Sequence, residues 1–137
     1  MNSLLPWQKT LFERARHAML QAYAPYSRFR VGAALMLDDG NIVEGCNVEN
    51  CSYGLTICAE RTAAVTAIAR GERRWQAMAI ATEGGVSPCG ACRQFLAEFA
   101  PDLTLLLVDN LDQRPVEIIS LAVLLPRCFT PDRLEKT

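Results

Sequence analysis

The sequence predicts an α/β fold, a three-layer α/β/α sandwich in which a central five-stranded mixed sheet lies between helices. Three observations favour this class. Helix and strand patterns alternate along all 137 residues, in the order α-β-β-α-β-α-β-β-α. Strand, crossover helix and strand occur twice in succession, and 50% of the residues are hydrophobic, enough for a core between layers. The length suits one domain, residues 1–137.

The first half of the chain predicts a helix, a hairpin and a second helix. Apolar residues at helical spacing indicate a helix over 7–23, and Pro25 disfavours its continuation. Two short apolar runs, 30–37 and 42–46, flank an Asp-Gly turn and predict an antiparallel hairpin. After a loop at 47–56, an alanine-rich segment predicts a helix at about 57–70.

The second half predicts two buried strands separated by a helix, then a short strand and a short helix. Ser87 is the expected N-cap of the middle helix, and Pro88 suits its first position. That helix is expected to run to Phe99. The strands are expected at 76–81, 103–109 and 115–118, and the last helix at 121–125.

The net charge and the number of cysteines limit the possible classes of function. The net charge of −1 provides no long-range field for nucleic acid or a membrane surface, and the apolar runs are too short to cross a bilayer. Without a recognisable targeting segment, we expect a soluble, cytoplasmic protein. Six cysteines then indicate metal binding or catalysis before disulfides. Cys46, Cys51 and Cys128 lie outside any motif, so we expect them to be small buried apolar side chains.

The chemistry is concentrated in two groups of residues, each at an expected helix start. Cys58 stands two residues before Glu60, and Cys89 stands three before Cys92, which places the last two thiols on one helix face that points inward. Helix N-termini favour ionised thiols. Three protein ligands leave one tetrahedral position of Zn²⁺ open, which is typical of catalytic sites rather than structural ones.

Glu60 completes the requirements for hydrolytic removal of an amine, which needs a metal-activated water and a carboxylate that carries protons. Zinc deaminases combine a His-x-Glu or Cys-x-Glu with a later Pro-Cys-x-x-Cys, and this chain has the three-cysteine version. Either Arg61 or Arg93 is placed to donate to sulfur.

Five segments extend the pattern: YAPYSRF at 23–29, VGAA at 31–34, GCNVEN at 45–50, CAERTA at 58–63 and SPCGACRQ at 87–94. In them the sequence resembles the small, homotetrameric type of cytidine deaminase, from about residue 23 to residue 129. The resemblance implies hydrolytic deamination of cytidine and 2′-deoxycytidine to uridine or deoxyuridine plus ammonia, in pyrimidine salvage. It does not rank the two nucleosides.

The resemblance also implies roles for particular residues. One Zn²⁺ per chain would be held by Cys58, Cys89 and Cys92, and Glu60 would move protons from water to the ring nitrogen and the departing amine. Substrate contacts are implied for Phe29 on the nucleoside, for Asn47 and Glu49 on the 3′-hydroxyl, and for the backbone of Ala59 on the pyrimidine. Arg61 would donate to the zinc-bound thiolates. Tyr53 and Phe129 would reach sites shared between subunits of a homotetramer.

Small departures from the family pattern leave these groups in place. They are Cys51 where alanine is frequent, Arg30 where proline is common, and a short loop at 83–86. Three other functions stay open: a deaminase of a modified cytosine nucleoside such as a blasticidin-type antibiotic, a polynucleotide-editing deaminase, and a zinc-stabilised binding protein with an inactive site. Phe29 and Arg61 favour the ordinary nucleoside, whereas Cys58 as first ligand and the charge of −1 disfavour a polynucleotide.

A structural zinc site is a further alternative for the three cysteines. Such a site is usually closed by a fourth protein ligand. The single histidine, His17, lies inside the first expected helix and outside every motif. We therefore expect an open site.

Overall fold

The computed structural model describes residues 4–134, so both ends of the expected 1–137 domain lie outside the described residues. Within them, the predicted α/β/α architecture is confirmed, with one five-stranded mixed sheet in the order β2-β1-β3-β4-β5. The elements are α1 (Pro6–Met19), β1 (Gly32–Leu37), β2 (Ile42–Cys46), α2 (Ala59–Ala69), β3 (Trp75–Thr82), α3 (Gly90–Phe99), β4 (Thr104–Asp109), β5 (Glu117–Ser120) and α4 (Leu121–Leu124). Short 3-10 helices cover Tyr53–Leu55 and Pro131–Arg133.

The sheet is mixed because only one pair of neighbouring strands is parallel. The predicted hairpin is confirmed as the antiparallel pair β1 and β2. β1 also pairs antiparallel with β3, β3 pairs parallel with β4, and β4 pairs antiparallel with β5. The crossover through α3 therefore joins adjacent strands, whereas the crossover through α2 passes over β1.

Helices cover both faces of the sheet and bury two separate cores. On one face, α1 packs Leu11, Ala15 and Met19 against alternate side chains of β1, β3 and β4. On the other face, α2 and α3 pack their alanine and leucine side chains against the strand side chains that point away from α1. Within residues 4–134, no helix combines the length and hydropathy needed to span a membrane.

Two glycines allow the helices to lie directly on the hairpin. A Cβ added to Gly32 would lie 2.1 Å from the carbonyl oxygen of Ala15 in α1. A Cβ added to Gly45 would lie 2.4 Å from the backbone nitrogen of Ala63 in α2. Both distances are far below van der Waals contact, so these positions admit no side chain without moving a helix.

Several boundaries differ from the sequence-based expectation. α1 ends at Met19 rather than 23, because residues 20–22 form tight turns and Tyr23 then pairs with Val48. β5 begins at Glu117 rather than 115, since its register on β4 places Ser120 opposite Thr104.

The starts of α2 and α3 are also shifted, from about 57 to Ala59 and from Pro88 to Gly90. The prediction of Ser87 as N-cap is therefore wrong. Cys58 and Cys89 occupy the two N-cap positions in extended backbone, with ψ values of 155° and 167°. Both shifts place a cysteine directly at the N-terminal end of its helix.

Candidate metal centre and active site

The three cysteines at the starts of α2 and α3 form one cluster. The Sγ atoms of Cys58, Cys89 and Cys92 all lie within 4.8 Å of one another, and those of Cys89 and Cys92 are 3.4 Å apart. Thiolates at about 2.3 Å from a tetrahedral Zn²⁺ are separated by about 3.8 Å. The cluster therefore fits three corners of a tetrahedral zinc site. No other group of metal-ligating side chains of this kind is found in the part of the chain described, 4–134.

The packing of α2 against α3 brings these thiols together. Both helices lie on the same face of the sheet and contact each other, so their N-termini converge. Cys92, one turn into α3, is fully buried, and Cys58 is half-buried. Cys89 is exposed. The expectation that the helix face shared by Cys89 and Cys92 points inward is therefore wrong for Cys89.

The protein favours negative charge at Cys58. A hydrogen bond from the Cys92 thiol lowers the pKa of Cys58, and Arg61 lowers it further by donating from Nη2 to Cys58 Sγ at 3.5 Å. The same thiol–thiol contact, followed by burial, raises the pKa of Cys92. The pKa of one thiol is thus lowered while that of its neighbour is raised. A divalent cation bound by all three sulfurs would remove this difference, because it would ionise each of them.

The alternative donor Arg93 does not reach sulfur. It donates to the carbonyl oxygens of Pro88 at 2.7 Å and Leu124 at 2.8 Å, and to Ser87 Oγ at 3.0 Å. Arg93 therefore fastens the segment before Cys89 to the end of α4. The expectation that it could neutralise the thiolates is wrong.

Glu60 lies in the first turn of α2, beside the cluster. Its side chain is buried, with 5% of the residue exposed, and this burial raises its pKa to about 7. It lines a cavity of about 340 Å³ together with Cys58 and Cys89. A carboxyl group that titrates near neutral pH can both accept and return a proton.

The cavity next to the thiols has the size of a small-molecule site. Its remaining walls come from the segment before β1, the segment after β2, the end of β3 and the loop before α3. Of the residues expected to touch substrate, Phe29, Asn47, Glu49 and Ala59 line it. Residues 5–107 match the family described as "Cytidine and deoxycytidylate deaminase zinc-binding region".

The chain belongs to the cytidine and deoxycytidylate deaminase family.

Relatives with assigned names agree with this membership. A cytidine deaminase of Sporosarcina psychrophila is 47% identical over 126 residues, which cover 90% of this chain and 92% of that protein. The crystal structure of cytidine deaminase from Burkholderia pseudomallei is 48% identical, with a TM-score of 0.84 over 88% of this chain and 98% of that one. The cytidine deaminase structure from Mycobacterium tuberculosis is 42% identical, with a TM-score of 0.78 over 92% of this chain and 98% of that one.

In this member of the deaminase family, Asn47 joins the end of β2 to the segment before β1. Its buried side chain accepts a hydrogen bond from Val31 N at 2.9 Å through Oδ1 and donates from Nδ2 to the Phe29 carbonyl at 2.8 Å. Asn47 thereby fixes the backbone of Phe29, a residue that is 37% exposed and lines the cavity.

Glu49 organises the turn that precedes Phe29. Its Oε1 accepts hydrogen bonds from Tyr26 N at 3.0 Å and Ser27 N at 3.1 Å, and Oε2 accepts one from Ser27 Oγ. These bonds, the Ser27 hydroxyl first, hold the pKa of Glu49 below its ordinary value. The deaminase cavity therefore has an ionised acceptor at this edge at neutral pH.

Tyr53 and Phe129 do not enter the cavity of their own chain. Tyr53 is 80% exposed and lines a neighbouring hollow beside Tyr26 and Glu49. Phe129 is 56% exposed, and its carbonyl oxygen accepts a hydrogen bond from Gln94. Both residues are therefore largely exposed on the single chain.

The cysteines outside the cluster differ in burial. Cys51 is exposed, so the expectation of a buried side chain is wrong there, because it lies in the open loop before the first 3-10 helix. Cys46 and Cys128 are half-buried, and burial raises the pKa of Cys46. All six cysteines are free in the described part of the chain, 4–134.

A larger cavity, of about 690 Å³, lies on the opposite face of the sheet between α1 and residues 109–116. Its walls include Lys9, Phe12 and Arg114. Cys58, Cys89 and Glu60 line the smaller cavity instead, so size alone does not identify the reactive one.

Sequence reasoning missed the residues that hold the loop between β3 and α3. Thr82 Oγ1 accepts a hydrogen bond from Val86 N at 2.9 Å, and Asp109 Oδ1 accepts one from Gly84 N at 3.0 Å. The only available signal was a polar residue at the end of each buried strand, which is also an ordinary feature of strand ends.

Proposed function

We propose that this chain deaminates cytidine and 2′-deoxycytidine hydrolytically, consuming one water and forming uridine or deoxyuridine and ammonia. The observation that carries the proposal is the three-thiol cluster, of which Cys58 and Cys89 line one cavity together with the buried carboxyl of Glu60. Relatives named as cytidine deaminases across nine-tenths of the chain support the same reaction.

Cys58, Cys89 and Cys92 would hold one Zn²⁺ per chain, and their spacing supports three-sulfur coordination. When bound, zinc supplies a Lewis acid that makes water nucleophilic near neutral pH. Arg61 is placed to offset the charge of the three thiolates through its contact with Cys58.

Glu60 moves the protons in the proposed reaction. Its carboxylate takes a proton from the attacking water and passes it to ring N3 of cytosine as the C4–O bond forms. It then takes the remaining proton from the new C4 hydroxyl and delivers it to the amino group as the C4–N bond breaks, which leaves a C4 carbonyl and releases ammonia. Its pKa of about 7 supports both directions of transfer.

The nucleoside is held by the walls of the cavity. Phe29 packs against it, and the backbone of Ala59, at the start of α2, contacts the pyrimidine. Glu49 accepts a hydrogen bond from the 3′-hydroxyl, and Asn47 donates to the same group. Both ribose and deoxyribose carry that hydroxyl, so these contacts serve both substrates.

Tyr53 and Phe129 complete the cavities of neighbouring chains in a homotetramer. Tyr53, Phe129 and Cys89 are all exposed in the single chain, which supports this arrangement because the cavity is left uncovered on the side of the Cys89 thiol.

The test compares the zinc-loaded protein with Glu60→Gln. We expect the original protein to release ammonia from cytidine, and the variant to keep one zinc per chain while its kcat falls by at least about 10²-fold. Metal content and ammonia release are measured on the same samples. Glu98→Gln, an exposed substitution on α3, is the matched control and should leave both unchanged.

Absence of ammonia release by the zinc-loaded original protein would disprove the proposed reaction. Undiminished turnover by Glu60→Gln would leave the reaction standing and remove Glu60 as the proton carrier.

A further inference from the structure

The loop between β3 and α3, residues 83–89, connects the sheet to the metal centre. It ends at Cys89, and its residues Val86, Ser87 and Pro88 form one wall of the cavity. The segment 85–89 has no helix or strand bonding of its own. Its course, and with it the position of the Cys89 thiol, therefore depends on contacts made from outside the loop.

The carboxylate of Asp109 makes the contact at the start of this loop. Asp109 ends β4 directly beside Thr82, and the residue is only 3% exposed. Its Oδ1 accepts hydrogen bonds from Gly84 N at 3.0 Å and Leu111 N at 2.9 Å, and its Oδ2 accepts one from Gln113 N at 3.2 Å. One side chain thus ties the 83–89 loop to the 109–113 turn.

The Gly84–Gly85 turn is shaped around Asp109. Both glycines have positive φ, 93° and 64°, which residues with a side chain rarely adopt. A Cβ on Gly85 would lie 3.4 Å from both the Cβ and the nitrogen of Asp109. The turn therefore rests directly on this residue, and Arg114 adds a hydrogen bond to the Gly84 carbonyl.

A carboxylate suits this position better than an amide. Three backbone N–H groups converge on Asp109, and each needs an acceptor. An asparagine would present one oxygen and one NH₂ group, so at least one of the three backbone donors would face another donor. Asp109→Asn therefore keeps the volume of the side chain and removes one of its two acceptor oxygens.

We propose that Asp109 is a positioning residue of the metal centre: by holding Gly84, it fixes the start of the loop that delivers the Cys89 thiol to Cys58 and Cys92. Thr82 holds the same loop at Val86, and Arg93 holds it at Ser87 and Pro88. The inference rests on the proposed zinc-dependent function. Asp109 touches neither metal nor substrate and acts only through the loop.

The test measures zinc release from Asp109→Asn to a chromogenic chelator, with kcat and KM for cytidine on the same samples. We expect zinc release to be faster by about 10-fold or more and kcat/KM to fall by a similar factor, the range seen when groups that orient metal ligands are removed. Asp112→Asn is the matched control, because Asp112 lies in the same turn but is exposed and pairs with Arg16 rather than the loop. Its rate of zinc release and its kcat/KM should stay within about twofold of those of the original protein.

Arg114→Gln is the second variant, and it decides the matter if Asp109→Asn does not fold. Arg114 is exposed, so its loss should not endanger folding. It makes a single hydrogen bond to the loop, so we expect zinc release and kcat/KM to change in the same directions by about two- to threefold. Unchanged zinc release and kcat/KM in a folded Asp109→Asn protein, with only the melting temperature lowered, would overturn the inference.

The proposed function can fail separately from this inference. If the zinc-loaded original protein does not deaminate cytidine, the proposed reaction is disproved, while the zinc-release rates still test Asp109. If Asp109→Asn does not fold and Arg114→Gln releases zinc at the original rate, the inference is overturned.

Discussion

The buried amide of Asn47 joins two backbone segments that are sixteen or more residues apart in sequence. The residue was predicted as a substrate contact through its family motif, and its position at the cavity agrees with that role. Its bonds to the segment 29–31 could not be predicted, because no local pattern shows which distant backbone groups need a partner. A single side chain thus supports both the fold and the candidate site.

Replacing Asn47 by aspartate tests the structural part of this role. The acceptor for Val31 N remains, but an oxygen replaces the donor that meets the Phe29 carbonyl, and a charge is buried. We expect the free energy of unfolding to fall by about 1–3 kcal/mol, measured by denaturant titration. In Asn50→Asp, the exposed acceptor for Ser52 N is kept, so the change should stay within about 0.5 kcal/mol. Equal stability of the two variants would contradict this assignment.

At the level of helices and strands, the order of elements followed from hydrophobic periodicity, but the helix starts did not follow from capping rules. Ser87 and Pro88 carry the usual local signals of a helix N-terminus. In the structure, Arg93 binds Ser87 Oγ and the Pro88 carbonyl instead, and α3 begins two residues later. Tertiary contacts thus overrode a local preference, and they did so where a cysteine must face the cluster.

Gly45 allows α2 to approach β2, and α2 carries Cys58 and Glu60 at its start. In Gly45→Ala, the new methyl group would overlap the backbone of Ala63, so either α2 shifts or the strand bends. We expect the free energy of unfolding to fall by about 1–3 kcal/mol in thermal or denaturant unfolding.

Gly54→Ala is the matched control, since nothing lies within 4 Å of a Cβ at that position. Its free energy of unfolding should stay within about 0.5 kcal/mol of the original protein's. A Gly45→Ala protein as stable as this control would show that the contact between α2 and β2 is looser than described.

For the molecule as a whole, the layered fold and the three-cysteine cluster were predictable, because both depend on regular spacing along the chain. The supports of the loop before α3 were not, because Asp109 binds Gly84 from 25 residues away and Arg93 is anchored to Leu124, 31 residues away. The outward-facing Tyr53 and Phe129 are also understood only beyond the single chain, in the homotetramer proposed above.

Native mass measurement tests this assembly. We expect four chains and four zinc ions in the intact particle. We expect Phe129→Ala to raise the KM for cytidine while the particle stays tetrameric, because the exposed ring would be lost from a neighbour's cavity and not from a core. A stable monomer with full activity would remove both aromatic residues from a shared site.

The central claim, hydrolytic deamination at the cluster of three cysteines and Glu60, is tested most directly in water enriched in heavy oxygen. The zinc-loaded protein is incubated with cytidine, and the mass of the pyrimidine product is recorded with the ammonia released. We predict uridine that carries one heavy oxygen and an equal amount of ammonia. Unchanged cytidine, or uridine without the heavy oxygen, would contradict the claim.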